Sequence, residues 1–205
     1  MIKTIIFDMG GVVITIDQPK AVRRFEELGL KDAAKCLDPY TQAGIFGELE
    51  AGTISADDFQ RELSAMVGRE LSFEDCKYGW LGYLGDVPQR NLDTLRQLRI
   101  DGYHLVLLSN TNSFMQSWAE SDFDGNGGCI VDYFDALYRS YEVKLMKPDK
   151  RFFQLVLDRE RLVPEETLFV DDGHRNVDVA VSLGIKGFCP KNGADWTQEI
   201  YQYLD

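Results

Sequence analysis

The chain has 205 residues, enough for one domain carrying an insertion or for two small domains. Its 44% apolar and 12% aromatic content supports a packed core and excludes disorder as the main description. Lys and Arg number 22 against 34 Asp and Glu, a net charge of −12; this excludes nucleic acid and anionic membrane as partners, because both require a basic patch.

In chain order, Ile2 to Phe7 is a short β-branched and apolar run that stops at Asp8 and is followed by Gly10 and Gly11, the form of a buried strand ending in a glycine turn. Residues 17–87 carry several helical patterns and no convincing strand. Within them, Ser55 with Asp58 reads as a capping box opening a helix through Met66, and Ser72 with Asp75 opens another. This stretch is expected to be an all-helical cap (17–87) inserted into a core made of residues 1–16 and 88–205. Pro88 to Arg99 carries Leu92, Leu95 and Leu98 at helical spacing, and His104 to Leu108 is a second strand ending at Ser109 and Asn110. A strand at Ala136 to Arg139, a helix at Lys150 to Arg159 and a strand at Thr167 to Val170 follow, the last ending at Asp171, Asp172 and Gly173. A helix from Arg175 to Leu183, stopped by Gly184, and a strand at Ile185 to Phe188 complete the order. Such alternation predicts an α/β fold, a parallel sheet with helices on both faces, and in these sheets ligands sit beyond the carboxyl ends of the strands.

The four cysteines, Cys36, Cys76, Cys129 and Cys189, form no Cys-x-x-Cys pair and read as buried, reduced thiols. With only His104 and His174 present, a histidine-rich metal site is excluded and oxygen ligands remain. No apolar stretch approaches the roughly 20 residues needed to cross a bilayer, and Met1 to Phe7 is too short for a signal peptide, so a cytoplasmic protein is expected.

An isolated carboxylate, a hydroxyl, a lysine and a carboxylate pair at separate strand or loop ends suit phosphoryl transfer. Carboxylates bind Mg²⁺ through hard oxygens, a lysine offsets phosphoryl charge, and a hydroxyl orients the oxygens. Asp8 would attack phosphorus and form an aspartyl-phosphate that water hydrolyses. Adjacent Asp171 and Asp172 repel unless a cation lies between them, which favours a metal over two surface acids.

Four motifs in this order carry a family resemblance. They are Phe7-Asp8-Met9-Gly10-Gly11-Val12-Val13, Leu107-Leu108-Ser109-Asn110-Thr111, Lys147-Pro148-Asp149, and Phe169-Val170-Asp171-Asp172-Gly173 with Asn176. The chain resembles the haloacid dehalogenase-like hydrolase superfamily over nearly its whole length. In addition, Gly47-Glu48-Leu49-Glu50-Ala51-Gly52-Thr53-Ile54-Ser55 with Phe59 is similar to a stretch in bacterial phosphatases of the α-D-glucose-1-phosphate type. The resemblance implies a Rossmann-like core with a helical cap that selects the substrate, and a small phosphorylated metabolite as that substrate. It implies Asp8 as nucleophile, Ser109 and Asn110 as phosphate-binding, Lys147 as the neutralising cation, and Asp8, the Gly10 carbonyl, Asp171 and Asp172 around Mg²⁺. One position departs from the superfamily: where most of its phosphatases carry a second aspartate two residues after the nucleophile as acid and base, this chain has Gly10. That departure keeps a second reading open, a phospho-ligand binding or regulatory protein that has lost turnover. A signalling receiver domain is excluded by motif order, since Lys147 precedes the acidic pair.

Other residues have plainer expectations. Asn176 steadies the metal shell or faces solvent, and His174 is an exposed loop residue. Asp122, Asp124, Asn126 and Gly127 mimic the start of a calcium loop, but the twelfth position is Tyr133 where a glutamate is needed. Tyr40, Phe46, Trp80 and Tyr83 are expected mainly in the core, with one or two lining a pocket. Oligomeric state and physiological substrate are not encoded in any motif found here.

Overall fold

The computed structural model describes residues 1–38 and 40–205. Five strands, β1 (Thr4–Phe7), β2 (His104–Ser109), β3 (Ala136–Arg139), β4 (Thr167–Val170) and β5 (Lys186–Phe188), form one parallel sheet in the order β3-β2-β1-β4-β5. The central strand β1 pairs Phe7 with Leu107 on one side and with Val170 on the other. The chain winds away from β1 towards β3, then returns to build β4 and β5 on the opposite side. Asp8, Ser109 and Asp171 therefore emerge at neighbouring carboxyl ends, where the direction of winding changes and an α/β sheet opens a crevice.

Side-chain alternation along the strands sorts the core into two layers. Ile5, Phe7, Leu105, Leu107, Leu168 and Val170 face one cluster, while Ile6, Val106, Leu108 and Phe169 face the other. The helices of the sheet region complete the two layers. They are, following the four described next, α5 (Gln89–Ile100), α6 (Ser113–Ala119), α7 (Ser140–Val143), α8 (Lys150–Glu160) and α9 (His174–Ser182). Leu92, Leu95 and Leu98 of α5 join the first layer; Phe153 and Val156 of α8, with Val177 and Ala180 of α9, join the second.

Between β1 and α5 the described residues add no strand to the sheet; they form α1 (Gln18–Glu27), α2 (Ile45–Glu50), α3 (Ala56–Val67) and α4 (Phe73–Trp80), with 3-10 turns at Ala33–Lys35 and Leu81–Tyr83 and an isolated antiparallel bridge between Ile16 and Leu84. Both capping boxes form: the Ser55 and Ser72 hydroxyls accept from the Asp58 and Asp75 amides at 3.1 and 3.0 Å. The entry and exit of this segment run side by side, with Thr15 N donating to Asp86 O at 2.9 Å and Asp17 N to Tyr83 O at 2.9 Å. The segment is held by buried rings: Phe46 sits edge-on to Phe25 at 4.9 Å and to Phe59 at 5.1 Å, with Trp80 at 5.6 Å. Phe114 of α6 ties these rings to the sheet region, 5.7 Å from Phe59 and 4.7 Å from Phe73. One apolar cluster thus runs through both regions.

Two expectations change. All four thiols are free, but only Cys76 is buried; Cys36, Cys129 and Cys189 stand at the ends of elements and are partly exposed. Phe46, Trp80 and Tyr83 are buried as expected, whereas Tyr40 is 57% exposed. The calcium-like loop spends its acids on its own backbone: Asp124 Oδ1 accepts from Asn126 N and Gly128 N at 2.9 Å, and Tyr133 donates to Asp124 Oδ2 at 3.2 Å. No described helix is long and apolar enough to cross a membrane.

Candidate active site

The four sequence motifs converge at the carboxyl end of the sheet. Lys147 Nζ lies 2.8 Å from Asp8 Oδ1 and 2.7 Å from Asp171 Oδ2, with its side chain 1% exposed and that of Asp171 fully buried. Ionised groups so deep in a protein persist only when paired, and this cation bridges two carboxylates. One oxygen each from Asp8, Asp171 and Asp172 lies within 4.8 Å of the others.

Each acid is held differently. Asp171 is saturated: Oδ1 accepts from Gly173 N at 2.7 Å, Oδ2 from Lys147, and Asn176 Nδ2 reaches both oxygens at 3.0 and 3.1 Å. Asn176 therefore supports the acidic motif from the first turn of α9, and His174 is exposed beside it. Asp8 accepts from Met9 N at 2.7 Å and from Lys147. Asp172 approaches the backbone so closely that Gly11 admits no side chain: at φ 78° a Cβ there would collide with the Asp172 carboxylate.

Three carboxylates against one ammonium leave an excess of negative charge in a buried place. Burial above all, with Asp171 and Asp172 opposing its charge and Lys147 only partly offsetting them, pushes Asp8 up to about 7. Burial and Asp171 likewise push Asp172 up to about 6. For Lys147, burial works against the charge, but Asp171 and Asp8 outweigh it and hold the ammonium above its ordinary value. A divalent cation bound by oxygens would let all three acids ionise, so the donor set fits such an ion.

Ser109 and Asn110 take separate parts. The Ser109 side chain is buried and borders the cavity, with only a long 3.4 Å contact to the Asn110 carbonyl. The Asn110 amide is committed to the backbone of Lys147: Nδ2 donates to its carbonyl and Oδ1 accepts from its N–H, both at 2.9 Å. The Asn110 side chain thus positions the lysine, and the residue also borders the cavity beside Ser109.

These groups open on a cavity of about 260 Å³, bordered by Asp8, Ser109, Lys147 and Asp172 from the sheet. From the helical segment, Glu50, Trp80 and Tyr83 close it, with Tyr40 and Gln42 beside them. Glu50 is a site residue that sequence reasoning did not single out. Its signal was positional: it lies four residues after Phe46 and one after Leu49, on the face of α2 that all three bury. An acid on an apolar helix face is out of place unless it has work there.

A family model described as haloacid dehalogenase-like hydrolase matches residues 2–184. D-ribitol-5-phosphate phosphatase of Bacteroides thetaiotaomicron is 48% identical over 206 residues, spanning 100% of both chains. Among solved structures, a hydrolase of the same family from Porphyromonas gingivalis superposes with a TM-score of 0.94 at 38% identity, covering 100% of this chain and 98% of that one. A haloacid dehalogenase-type enzyme from Bacteroides thetaiotaomicron, solved as a variant with magnesium and inorganic phosphate, superposes with a TM-score of 0.91 at 33% identity, covering 98% and 99%.

Proposed function

The chain belongs to the haloacid dehalogenase-like hydrolases, and from that premise we propose that it is a Mg²⁺-dependent phosphomonoesterase acting on a small phosphorylated polyol or sugar through an aspartyl-phosphate on Asp8. The observation that carries this reading is the pairing of one buried lysine with Asp8 and Asp171 at 2.8 and 2.7 Å at the mouth of the cavity. The polyol or sugar class draws on the likeness to a D-ribitol-5-phosphate phosphatase and on the size of the cavity, about 260 Å³.

Asp8, Asp171, Asp172 and the Gly10 carbonyl would hold Mg²⁺, which supplies positive charge against the phosphoryl oxygens. Asp8, fixed by Met9 N and Lys147, presents the attacking carboxylate oxygen. Lys147 favours the ionised form of that carboxylate and meets phosphoryl charge; the Ser109 hydroxyl donates to a phosphoryl oxygen. Asn110 and Asn176 position Lys147 and Asp171. Residues 17–87 act as the cap, contributing the wall of the cavity that faces the leaving group. A cytoplasmic setting accords with free, reduced thiols.

The test is hydrolysis of a panel of polyol and sugar phosphates with Mg²⁺ and with a chelator. Turnover of at least one member, lost with the chelator and restored by Mg²⁺, is expected. Inactivity across the panel overturns the reading, and phosphate binding without turnover would favour a binding or regulatory protein.

A further inference from the structure

Resting on the phosphomonoesterase reading, we propose that Glu50 is the acid that protonates the departing ester oxygen and the base that then activates water. The need for such a group arises at Gly10, which offers no side chain two residues after the nucleophile. The space there is also crowded, because a Cβ on Gly10 would lie 3.0 Å from Ile16 Cδ1 and 3.2 Å from Cγ1.

Glu50 borders the same cavity as Asp8, from the helical segment rather than from the sheet. The residue is 8% exposed, and its carboxyl receives no hydrogen bond or ion pair from any described residue. A buried carboxyl without a partner is costly to keep, and such groups are retained where they act. Lys147, the cation among the residues bordering the cavity, is already shared between Asp8 and Asp171. The groups that bear on Glu50 are Asp8 at the end of β1 and Tyr83 after α4. Burial first, and the Asp8 charge second, push Glu50 up to about 8, so it carries a proton at neutral pH. An acid poised near the working pH is the efficient one.

The position is also rigid. Two residues on, Gly52 turns at φ 67°, and a Cβ there would collide with the Tyr141 carbonyl of α7. The chain leaving α2 is thus seated directly against α7 of the sheet region, two residues from Glu50.

The chemistry balances in two steps. An Asp8 oxygen forms a bond to phosphorus as the phosphorus–ester oxygen bond breaks; the ester oxygen keeps the electron pair and takes the Glu50 proton, leaving as an alcohol. Glu50, now a carboxylate, accepts a proton from water while that water's oxygen bonds to phosphorus. The phosphorus–Asp8 bond breaks, its pair returns to Asp8, phosphate leaves, and Glu50 is protonated again.

The test is rapid-mix kinetics of Glu50→Gln with Mg²⁺, on a pentitol phosphate and on p-nitrophenyl phosphate, whose leaving group departs without a proton. On the pentitol ester, the first step is expected to slow about 10²–10⁴-fold. On the aryl ester it should slow less than about fivefold, giving a burst of one nitrophenolate per enzyme before slow turnover, with aspartyl-phosphate trapped by acid. Equal slowing on both esters, or pentitol turnover within about fivefold of wild type, overturns the assignment. Should Glu50→Gln fold poorly, Glu50→Ala is measured with added formate; recovery of the pentitol reaction supports the role, and no recovery in a folded variant opposes it. If wild type hydrolyses neither these esters nor any member of the polyol and sugar phosphate panel, the phosphomonoesterase reading falls and takes this one with it.

Discussion

The sheet end and the helical segment border one cavity, but they treat their polar groups in opposite ways. At the sheet end the lysine and its partners are tied down: Asp171 accepts four contacts, Lys147 bridges two acids, and Asn110 grips the backbone that carries Lys147. Across the cavity Glu50 has no partner, and the indole N–H of Trp80 is buried without one among the described residues. The segment's own stability comes from rings; Tyr83 donates to Gln42 at 2.9 Å, which leaves Glu50 and the Trp80 N–H to answer the substrate. The difference separates fixed chemistry, which every phosphate ester needs, from recognition, which must leave groups unsatisfied until the ligand arrives.

The sharpest way to break this division is Asp8→Asn. If the sheet end holds the chemistry, turnover falls on the order of 10⁶-fold, as losing a nucleophile does elsewhere. Stability should not fall with it, because the burial and like charge that push Asp8 up to about 7 make its carboxylate an unfavourable presence in the folded state. Steady-state kinetics and thermal melting check both, and substantial residual turnover would place the nucleophile elsewhere.

Phe59→Ala probes the other side. Phe59 is fully buried between Phe46, Trp80 and Phe114. Its loss should cost about 3–5 kcal/mol in urea unfolding. The same variant should weaken substrate binding more than the chemical step, since it loosens the wall and leaves Asp8, Lys147 and Asp171 in place. A fall in kcat at constant KM would show that the two regions are not separable.

How these regions divide was only half readable from the sequence. Asp8, Ser109 and Asp171 were legible because apolar strand runs stop abruptly at them, and parallel strands must deliver their ends to one edge. The capping boxes at Ser55 and Ser72 were legible because they are local. The role of Asn110 was not: its amide reaches a backbone 37 residues away, and no spacing rule encodes that bond. The pairing of residues 15–17 with 83–86 is hidden for the same reason. Glu50 lay within a stretch the sequence analysis quoted, yet only packing of α2 against the sheet region turns an ordinary helix acid into a buried one.

Magnesium should stabilise the protein by an amount that depends on pH. Asp8 and Asp172 have folded values of about 7 and about 6, above an ordinary 3.8. Groups raised in this direction favour the folded state most below the unfolded value, and that advantage drains away as pH climbs through the folded ones. The metal-free protein should therefore lose thermal stability between about pH 4 and pH 7 from this source. A cation that binds the ionised acids offsets the loss, so the rise in Tm on adding Mg²⁺ should be larger at pH 8 than at pH 5. Equal rises at both values would mean that the ion does not meet these carboxylates.

The mildest test is Asn176→Ala, which loosens one tie at the sheet end without removing a charge. Asp171 would keep Lys147 and the Gly173 amide, both at 2.7 Å, but lose the donor that spans its two oxygens. Groups that orient a metal-binding side chain commonly account for 10–100-fold in affinity. With two of three supports intact, the Mg²⁺ concentration for half-maximal activity should rise about tenfold, while kcat at saturating Mg²⁺ stays within about threefold. An unchanged Mg²⁺ dependence would mean that Lys147 and Gly173 alone orient Asp171; the tight hydrogen bonding at the sheet end would then be partly redundant, and the contrast with the unpartnered wall opposite correspondingly weaker.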